Sequence, residues 1–427
     1  MSKIEKVRIT GFWGNRDFEI ALNPDVTFLI GVNGSGKTTL INLIAASLTA
    51  DFPTLDRLSF DTIEIIIKPD TGQKRPSIKV SKKKDRKLPF ESISYEVRPS
   101  QAEQPDVFSL DDIENQRRFL GREMPPRFIR ERYSRYTSSL QERLNEYVRV
   151  SWLSIHRVTS PQRPHEEKSF ESTIDQKLSQ VSVDFVKYLS SLSKQKDEQM
   201  ARFQEFIFAS LLDQMTEKEL LSSAGKLDIA DQKRVLIDVF KELHITDKKI
   251  HTEKINKFFS TTETINRKIE SREVSLSELL NLFGQVRINR VIERWKQFRI
   301  EEEKIFSLLN RFIEIINKMI QKKQMIIDDN SEITFDTQSG KKLSLFELSS
   351  GEKQLLILLG EALLLRNEPC IYIADEPELS LHVSWQEKIV SSVTQLNDRA
   401  QLIVATHSPD VVGRLHNRAI EMEKILR

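Results

Sequence analysis

The stretch VTFLIGVNGSGKTTLINLIAASL, residues 26–48, joins an apolar run to a helical periodicity through a glycine-rich loop. Val26–Ile30 reads as a short buried strand, and Leu40, Leu43, Ile44 and Leu48 recur at the spacing of one helix face. Gly31–Thr38 between them fits G-x-x-x-x-G-K-[ST], a loop whose backbone N–H groups cradle phosphates. In that pattern Lys37 reaches the β and γ phosphates and Thr38 sets its hydroxyl on Mg²⁺. The expected nucleotide-binding residues are therefore Asn33, Gly34, Ser35, Gly36, Lys37, Thr38 and Thr39. The helix N-terminus behind the loop adds unpaired amides and a favourable dipole for an anion. Strand, loop and helix together predict an α/β fold with ATP and Mg²⁺ as ligands.

Two more strand ends carry chemistry. Cys370–Ala374 is apolar and runs into Asp375 and Glu376. At the carboxyl end of a central strand Asp375 is placed to hold Mg²⁺ through its water shell, and Glu376 to orient the attacking water. Leu402–Ala405 is a further apolar run, followed by His407 in the segment THSP. The expected catalytic pair is Glu376 and His407, and the expected metal ligands are Thr38 and Asp375.

The segment LSSGEKQ, Leu348–Gln354, resembles the signature motif of ABC-type ATPases, and Gly351 lies 24 residues before Asp375. Ser350 stands where the commoner form has a glycine, and Glu378-Leu379-Ser380-Leu381-His382 replaces the transporters' Ser-Ala-Leu-Asp. The resemblance implies a head-to-tail dimer in which Ser349, Ser350, Gly351 and Glu352 of one chain face the γ phosphate held by Lys37 of the other. It also makes His407 the switch histidine that bonds the γ phosphate.

Lys37 and Gly351 are 314 residues apart, so a large insertion divides the head. That layout is similar to the Rad50, SMC, RecF and overcoming-lysogenization-defect ATPases. The fold class expected is an α/β P-loop ABC-type ATPase head with an antiparallel β lobe and an inserted all-helical arm or bundle. Residues 1–165 form the first half of the head, 166–327 the arm, and 328–427 the second half with the signature, the acids and the histidine. The opening VRITGFWGNRDFEIAL, residues 7–22, resembles the first hairpin of such heads. Phe12, Trp13 or Arg16 either contact the nucleotide base or simply pack the hairpin. Residues 63–68, 78–81 and 93–97 read as strands of the β lobe, 101–147 as arginine-rich and helical or irregular, and Val148–Ile155 as a strand. His156, Arg157 and Gln162 follow it as candidates for the loop that senses γ phosphate and Mg²⁺; the resemblance puts Gln162 forward as a metal-site glutamine.

From Glu166 to Ile327 the periodicity is helical, with series from Phe170 to Leu192 and from Ile288 to Met319. Breaks near Ala224-Gly225, His244–Thr246 and Ser271–Ser277 divide it into about four helices. Glu332–Phe335 and Leu343–Leu345 flank Gln338-Ser339-Gly340 as a hairpin that leads into the signature. A Rad50-type zinc hook needs Cys-x-x-Cys, and the chain has one cysteine, Cys370, read as a buried filler.

Net charge is +2, from 65 basic and 63 acidic residues, so no global field draws in nucleic acid. Local basic clusters at Lys74–Lys87 and Arg117–Arg135 keep DNA, or an acidic phage protein acting as trigger, open as partners. No apolar run approaches the length of a membrane span, and the first residues lack a signal-peptide core, so a cytoplasmic location is expected. No Toprim nuclease pattern follows His407, so the expected effector is a separate protein. These features resemble the ATPase subunits of phage-defence systems, PARIS above all, with retron and Septu ATPases beside it. The expected activity is conversion of ATP and water to ADP and phosphate by a homo-oligomer that controls a separate nuclease. A RecF- or SMC-like ATPase that clamps DNA in genome maintenance is the alternative.

Overall fold

Alternation of Ile4, Val7 and Ile9 with Arg8 and Thr10 makes the first segment a strand with one face buried, β1 (Lys3–Phe12). The computed structural model describes residues 3–69, 74–84, 91–100, 102–109, 137–153, 173–213, 229–243, 252–261, 276–328 and 331–426. β1 lies in a six-stranded antiparallel sheet of order β2-β1-β4-β5-β6-β7, with β2 (Arg16–Ala21), β4 (Thr62–Lys68), β5 (Ser77–Lys84), β6 (Glu91–Arg98) and β7 (Asp106–Ser109). The three strands read in the β lobe are β4, β5 and β6. β7 lies in the stretch expected to be helical or irregular, because Val107 and Phe108 pair across to β6. A helix does follow, at residues 137–145 (α3).

The second sheet is parallel, in the order β14-β3-β13-β12-β8. It comprises β3 (Val26–Ile30), β8 (Val150–Leu153), β12 (Ile371–Asp375), β13 (Gln401–Ala405) and β14 (Ala419–Glu421). β3, β12 and β13 are almost wholly buried, which accounts for their unbroken apolar runs. Register sets their ends level, with Asp375 opposite Ala405 and Ala405 opposite Leu29. The three segments singled out for chemistry therefore emerge side by side at the carboxyl edge, where open α/β sheets bind ligands.

α1 (Lys37–Thr49) touches β8, β12 and β13 of the parallel sheet and β4 and β5 of the antiparallel one. It buries Leu40, Ile41, Leu43, Ile44 and Leu48, each worth about 2 kcal/mol of apolar transfer. Buried Gln401 ties the layers further: it accepts from Ile4 N–H and donates to the carbonyls of Ile4 and Asn23. Cys370 is buried just before β12, and burial pushes its thiol up to about 12. α2 (Phe52–Arg57) completes this half.

A three-stranded antiparallel sheet, β11-β10-β9, uses β9 (Lys323–Ile327), β10 (Ile333–Thr337) and β11 (Lys342–Ser344). The expected hairpin is β10–β11, paired from Thr334–Ser344 to Asp336–Lys342. Helical periodicity read as far as Ile327 stops earlier, at Met319, because Lys323–Ile327 pairs with β10. The described helices of the insertion are α4 (Thr173–Leu212), α5 (Ile229–Glu242), α6 (252–261) and α7 (Leu276–Met319). The rest of the chain adds α8 (Ser350–Leu364), α9 (Val383–Leu396), α10 (Pro409–Val412) and α11 (Met422–Ile425).

The chain divides into two compact units, Met1–Val186 with Arg311–Arg427, and Lys187–Asn310. The described regular elements of the second are all helices, and it has its own apolar centre, in which Phe203 packs with Trp295 and Phe298. Lys196 bridges Glu242 and Glu302 beside it. No described helix is long and apolar enough to cross a membrane.

Candidate functional site

A cavity of about 490 Å³ opens at the carboxyl edge of the parallel sheet, lined by Trp13, Asn33, Gly34, Gly36, Lys37, Thr38, Thr39, Glu376 and His407. The loop between β3 and α1 wraps its floor. Gly34 and Gly36 have φ of +81° and +90°, values that suit glycine, and a Cβ on Gly34 would meet nothing within 4 Å. A Cβ on Gly36 would stand 3.1 Å from the Trp13 ring, so that glycine also makes room for the hairpin loop above it.

Trp13 reaches the cavity because the β1–β2 turn is tied down behind it. Gly11 N–H donates to Asp17, Gly14 N–H to the Gly11 carbonyl, and Trp13 N–H to the Ser59 carbonyl. Phe12 is fully buried and packs the hairpin, whereas Trp13 is 40% exposed and faces the cavity with the Arg16 guanidinium 5.6 Å from its ring centre.

Lys37 Nζ donates to the carbonyls of Gly31 (2.9 Å) and Val32 (3.1 Å) and lies 3.5 Å from His407 Nδ1. Burial pushes the Lys37 ammonium below its ordinary range, while Glu376, Glu423, Asp375 and Glu378 act in the opposite sense. His407 Nδ1 faces this ammonium, and its Nε2 lies 3.5 Å from Glu376 Oε1. His407 thus stands between Lys37 and Glu376.

Thr38 Oγ1 donates to Asp375 Oδ1 at 3.2 Å. Burial pushes the Asp375 carboxyl up, the Thr38 hydrogen bond holds it down, and the carboxylates of Glu376 and Glu378 add to the rise. A hydroxyl and a carboxylate side by side are the hard oxygen donors that Mg²⁺ takes, so these residues fit a nucleotide-bound cation. Glu376 has φ of +47°, held by its N–H bond to the Ala405 carbonyl at 2.9 Å. A non-glycine residue there is strained by about 1 kcal/mol, and the strain accompanies a carboxylate that lines the cavity.

The remaining expected residues fall elsewhere. Ser35 is absent from the lining, and its hydroxyl is buried with no hydrogen-bond partner among the described residues. Ser349 N-caps α8 in a reciprocal box with Glu352, and Ser349 and Ser350 are exposed. Gly351 and Glu352 are buried, and Lys323 donates to both Glu352 oxygens at 2.9 and 2.8 Å. None of Ser349–Glu352 is among the residues lining the cavity of their own chain. Gln162, with His156 and Arg157, lies outside the described residues, as do Arg117–Arg135.

Two carboxylates went unread in the sequence. Glu378 Oε1 accepts from Thr406 Oγ1 (2.5 Å), His407 N–H (3.0 Å) and Ser408 N–H (3.3 Å), and so shapes the loop that carries His407. Its signal was present as the third acid in Asp375-Glu376-Pro377-Glu378. Glu423 accepts from Val32 N–H, and nothing local announces it across 391 residues of sequence.

Comparison with known proteins yields partial relatives. The Retron Ec83 probable ATPase of Escherichia coli is 28% identical over 179 residues, 38% of this chain and 30% of that protein. The Retron Vc95 probable ATPase of Vibrio cholerae is 31% identical over 96 residues, 20% of this chain and 19% of that one. The chain thus spans under a third of the length of the curated relatives it matches. Among solved structures, the Smc head domain of Pyrococcus furiosus with its extended coiled coil, bound to the C-terminal domain of ScpA, is 14% identical with a TM-score of 0.44, covering 96% of this chain and 91% of that one. The SMC head domain from Thermotoga maritima is 12% identical with a TM-score of 0.40 over 96% and 91% of the two chains. The AAA ATPase domain family, AAA_15, matches residues 2–412, which hold the glycine loop, both acids and His407. With that match across nearly the whole length, the chain belongs to the AAA ATPase domain family.

Proposed function

We propose that this chain hydrolyses ATP between two head-to-tail copies and acts as a sensor and scaffold for a separate effector in phage defence. The observation that carries the catalytic part is the convergence of Lys37, Thr38, Glu376 and His407, from three adjacent strand ends, on one cavity, with Asp375 bonded to Thr38 beside it. In this reading the amides of residues 33–39 and the Lys37 ammonium bind the phosphates. Thr38 and Asp375 would hold Mg²⁺, which would supply positive charge at the phosphate oxygens. Glu376 accepts a proton from the attacking water as its oxygen bonds to the γ phosphorus and the bond to the β–γ bridging oxygen breaks. His407, oriented through Glu378, donates from Nε2 to the γ phosphoryl group or to Glu376. Ser349, bonded to Glu352 in its capping box, and Ser350 are exposed at the start of α8, where they would face a nucleotide held by the second copy.

The defence role is supported by the relatives named as retron probable ATPases. A PARIS-like arrangement, in which the partner is a Toprim nuclease released by an acidic phage protein, is the specific form we propose for the effector. DNA clamping is the second reading. Against it, Lys74 pairs with Glu103, Arg75 with Glu5, and Lys82 with the carbonyls of Asp56 and Leu58, so part of the basic hairpin is compensated within the chain.

The chain should hydrolyse MgATP, and Lys37→Ala should lose ATP binding. Glu376→Gln should keep ATP and accumulate as a pair in light scattering. Parental hydrolysis by Glu376→Gln would sink the catalytic assignment. For the defence role, the chain should co-purify with the product of an adjacent gene and protect cells from phage; unchanged plating on deletion would refute it.

A further inference from the structure

The root of the glycine loop is gripped by a residue from the far end of the chain. β14 runs parallel to β3 with Glu421 opposite Ile30, so α11 begins beside Gly31. Met422 is fully buried in the main core and anchors this turn. Glu423 follows it, and its Oε1 accepts from Val32 N–H at 2.5 Å. Both carboxylate oxygens press on Gly31, where a Cβ would lie 2.7 Å from Oε1 and 2.8 Å from Oε2. From the other side Lys37 Nζ takes the carbonyls of Gly31 and Val32. The peptide unit joining Gly31 to Val32 is thus held at both its N–H and its C=O, and the next unit at its C=O, immediately before residues 33–39 of the loop. Glu423 lies beyond the residues matched by the AAA ATPase domain family.

We propose that Glu423 is a positioning residue of the nucleotide site: by holding Val32 N–H it sets the direction in which the amides of residues 33–39 meet the phosphates. The proposal rests on the reading of the cavity as an ATP site. Charge and position make opposite demands here. A carboxylate near a polyanionic ligand repels it, so on charge alone its removal tightens ATP binding. If Glu423 positions the loop, its removal weakens binding.

The test is equilibrium binding of MgATP to the full chain and to Lys37→Ala, Glu423→Ala, Glu423→Asp and Glu423→Gln, with thermal melting as a check of folding. Binding by the parent and its loss in Lys37→Ala check the ATP reading separately. Glu423→Ala, and Glu423→Asp with its shorter reach, should weaken MgATP about tenfold, the worth of one hydrogen bond to a charged acceptor. Glu423→Gln keeps an acceptor oxygen at full reach and should stay within about threefold of the parent. Binding by Glu423→Ala that equals or exceeds the parent's would overturn the proposal, and so would Glu423→Gln as weak as Glu423→Ala. A parent that binds no MgATP would overturn the ATP reading and this proposal with it.

Discussion

Gly351→Ala would put a methyl carbon 2.6 Å from the backbone oxygen of Ser380, roughly 1 Å short of ordinary contact. That oxygen cannot swing aside. Ser380 already sits at φ +68°, Leu381 N–H is bonded to the Glu378 carbonyl at 2.9 Å, and Gln354 Nε2 donates to the Pro377 carbonyl at 3.3 Å. Either the start of α8 or the whole loop from Glu376 to His382 must move. Overpacking of this kind costs about 1–3 kcal/mol, which at about 2 °C per kcal/mol predicts a fall in melting temperature of about 2–6 °C. The loop that moves begins at Glu376, and a displacement of about 1 Å at a catalytic group can cost about 100-fold in turnover. The glycine loop is untouched, so MgATP affinity should stay within about twofold of the parent. Differential scanning fluorimetry, a coupled ATPase assay and equilibrium binding read the three quantities on one preparation. A Gly351→Ala protein with parental melting and parental turnover would refute the close packing of the signature glycine on this loop.

Glu378→Ala removes the acceptor of three donors around His407, and turnover should fall about tenfold or more with ATP affinity kept, read as a change in kcat without one in binding. Trp13→Ala should weaken ATP and GTP alike, by about 3–10-fold, because a stacking face reads no base edge; selective loss of one nucleotide would argue against stacking. Glu352 supplies a pH dependence. Burial pushes its carboxyl up, but Lys323 and Ser349 together hold it below the ordinary value of 4.5. A depressed folded pKa gives stability that is present above pH 4.5 and lost as pH falls through the lower folded value. Lys323→Gln should therefore cost about 2 kcal/mol at neutral pH, discounted for a lysine side chain that is 23% exposed, and the gap in melting temperature from the parent should close as the pH falls through that lowered folded value; a gap independent of pH would refute the pairing.

Much of the fold was legible because its signals are local. Val26–Ile30, Ile371–Asp375 and Gln401–Ala405 are buried on both faces in a parallel sheet, so each reads as a largely apolar run, the first opening into the glycine loop, the second ending in Asp375 and the third leading to Thr406 and His407. The long helices were visible as sustained periodicity, the series from Ile288 to Met319 lying within the 44 residues of α7. β9 and β7 were missed because each depends on a partner strand, β10 and β6, and short strands of this kind carry no period of their own. At the first hairpin Phe12 turns into the core and packs it, whereas Trp13 turns out toward the cavity.

The sequence by itself determined the kind of chemistry, because a strand, a glycine-rich turn and a helix start place Lys37 and Thr38 through backbone geometry alone. What it left open is which residues meet. Thr38 reaches Asp375 across 337 positions only because β3, β13 and β12 align with Leu29, Ala405 and Asp375 level. The loop's grip by Glu423 depends likewise on β14 adding to the outer edge of β3. A hydrophobic pattern says that a residue is buried, but strand order and register decide against what, and those are properties of the closed core that no local stretch of chain contains.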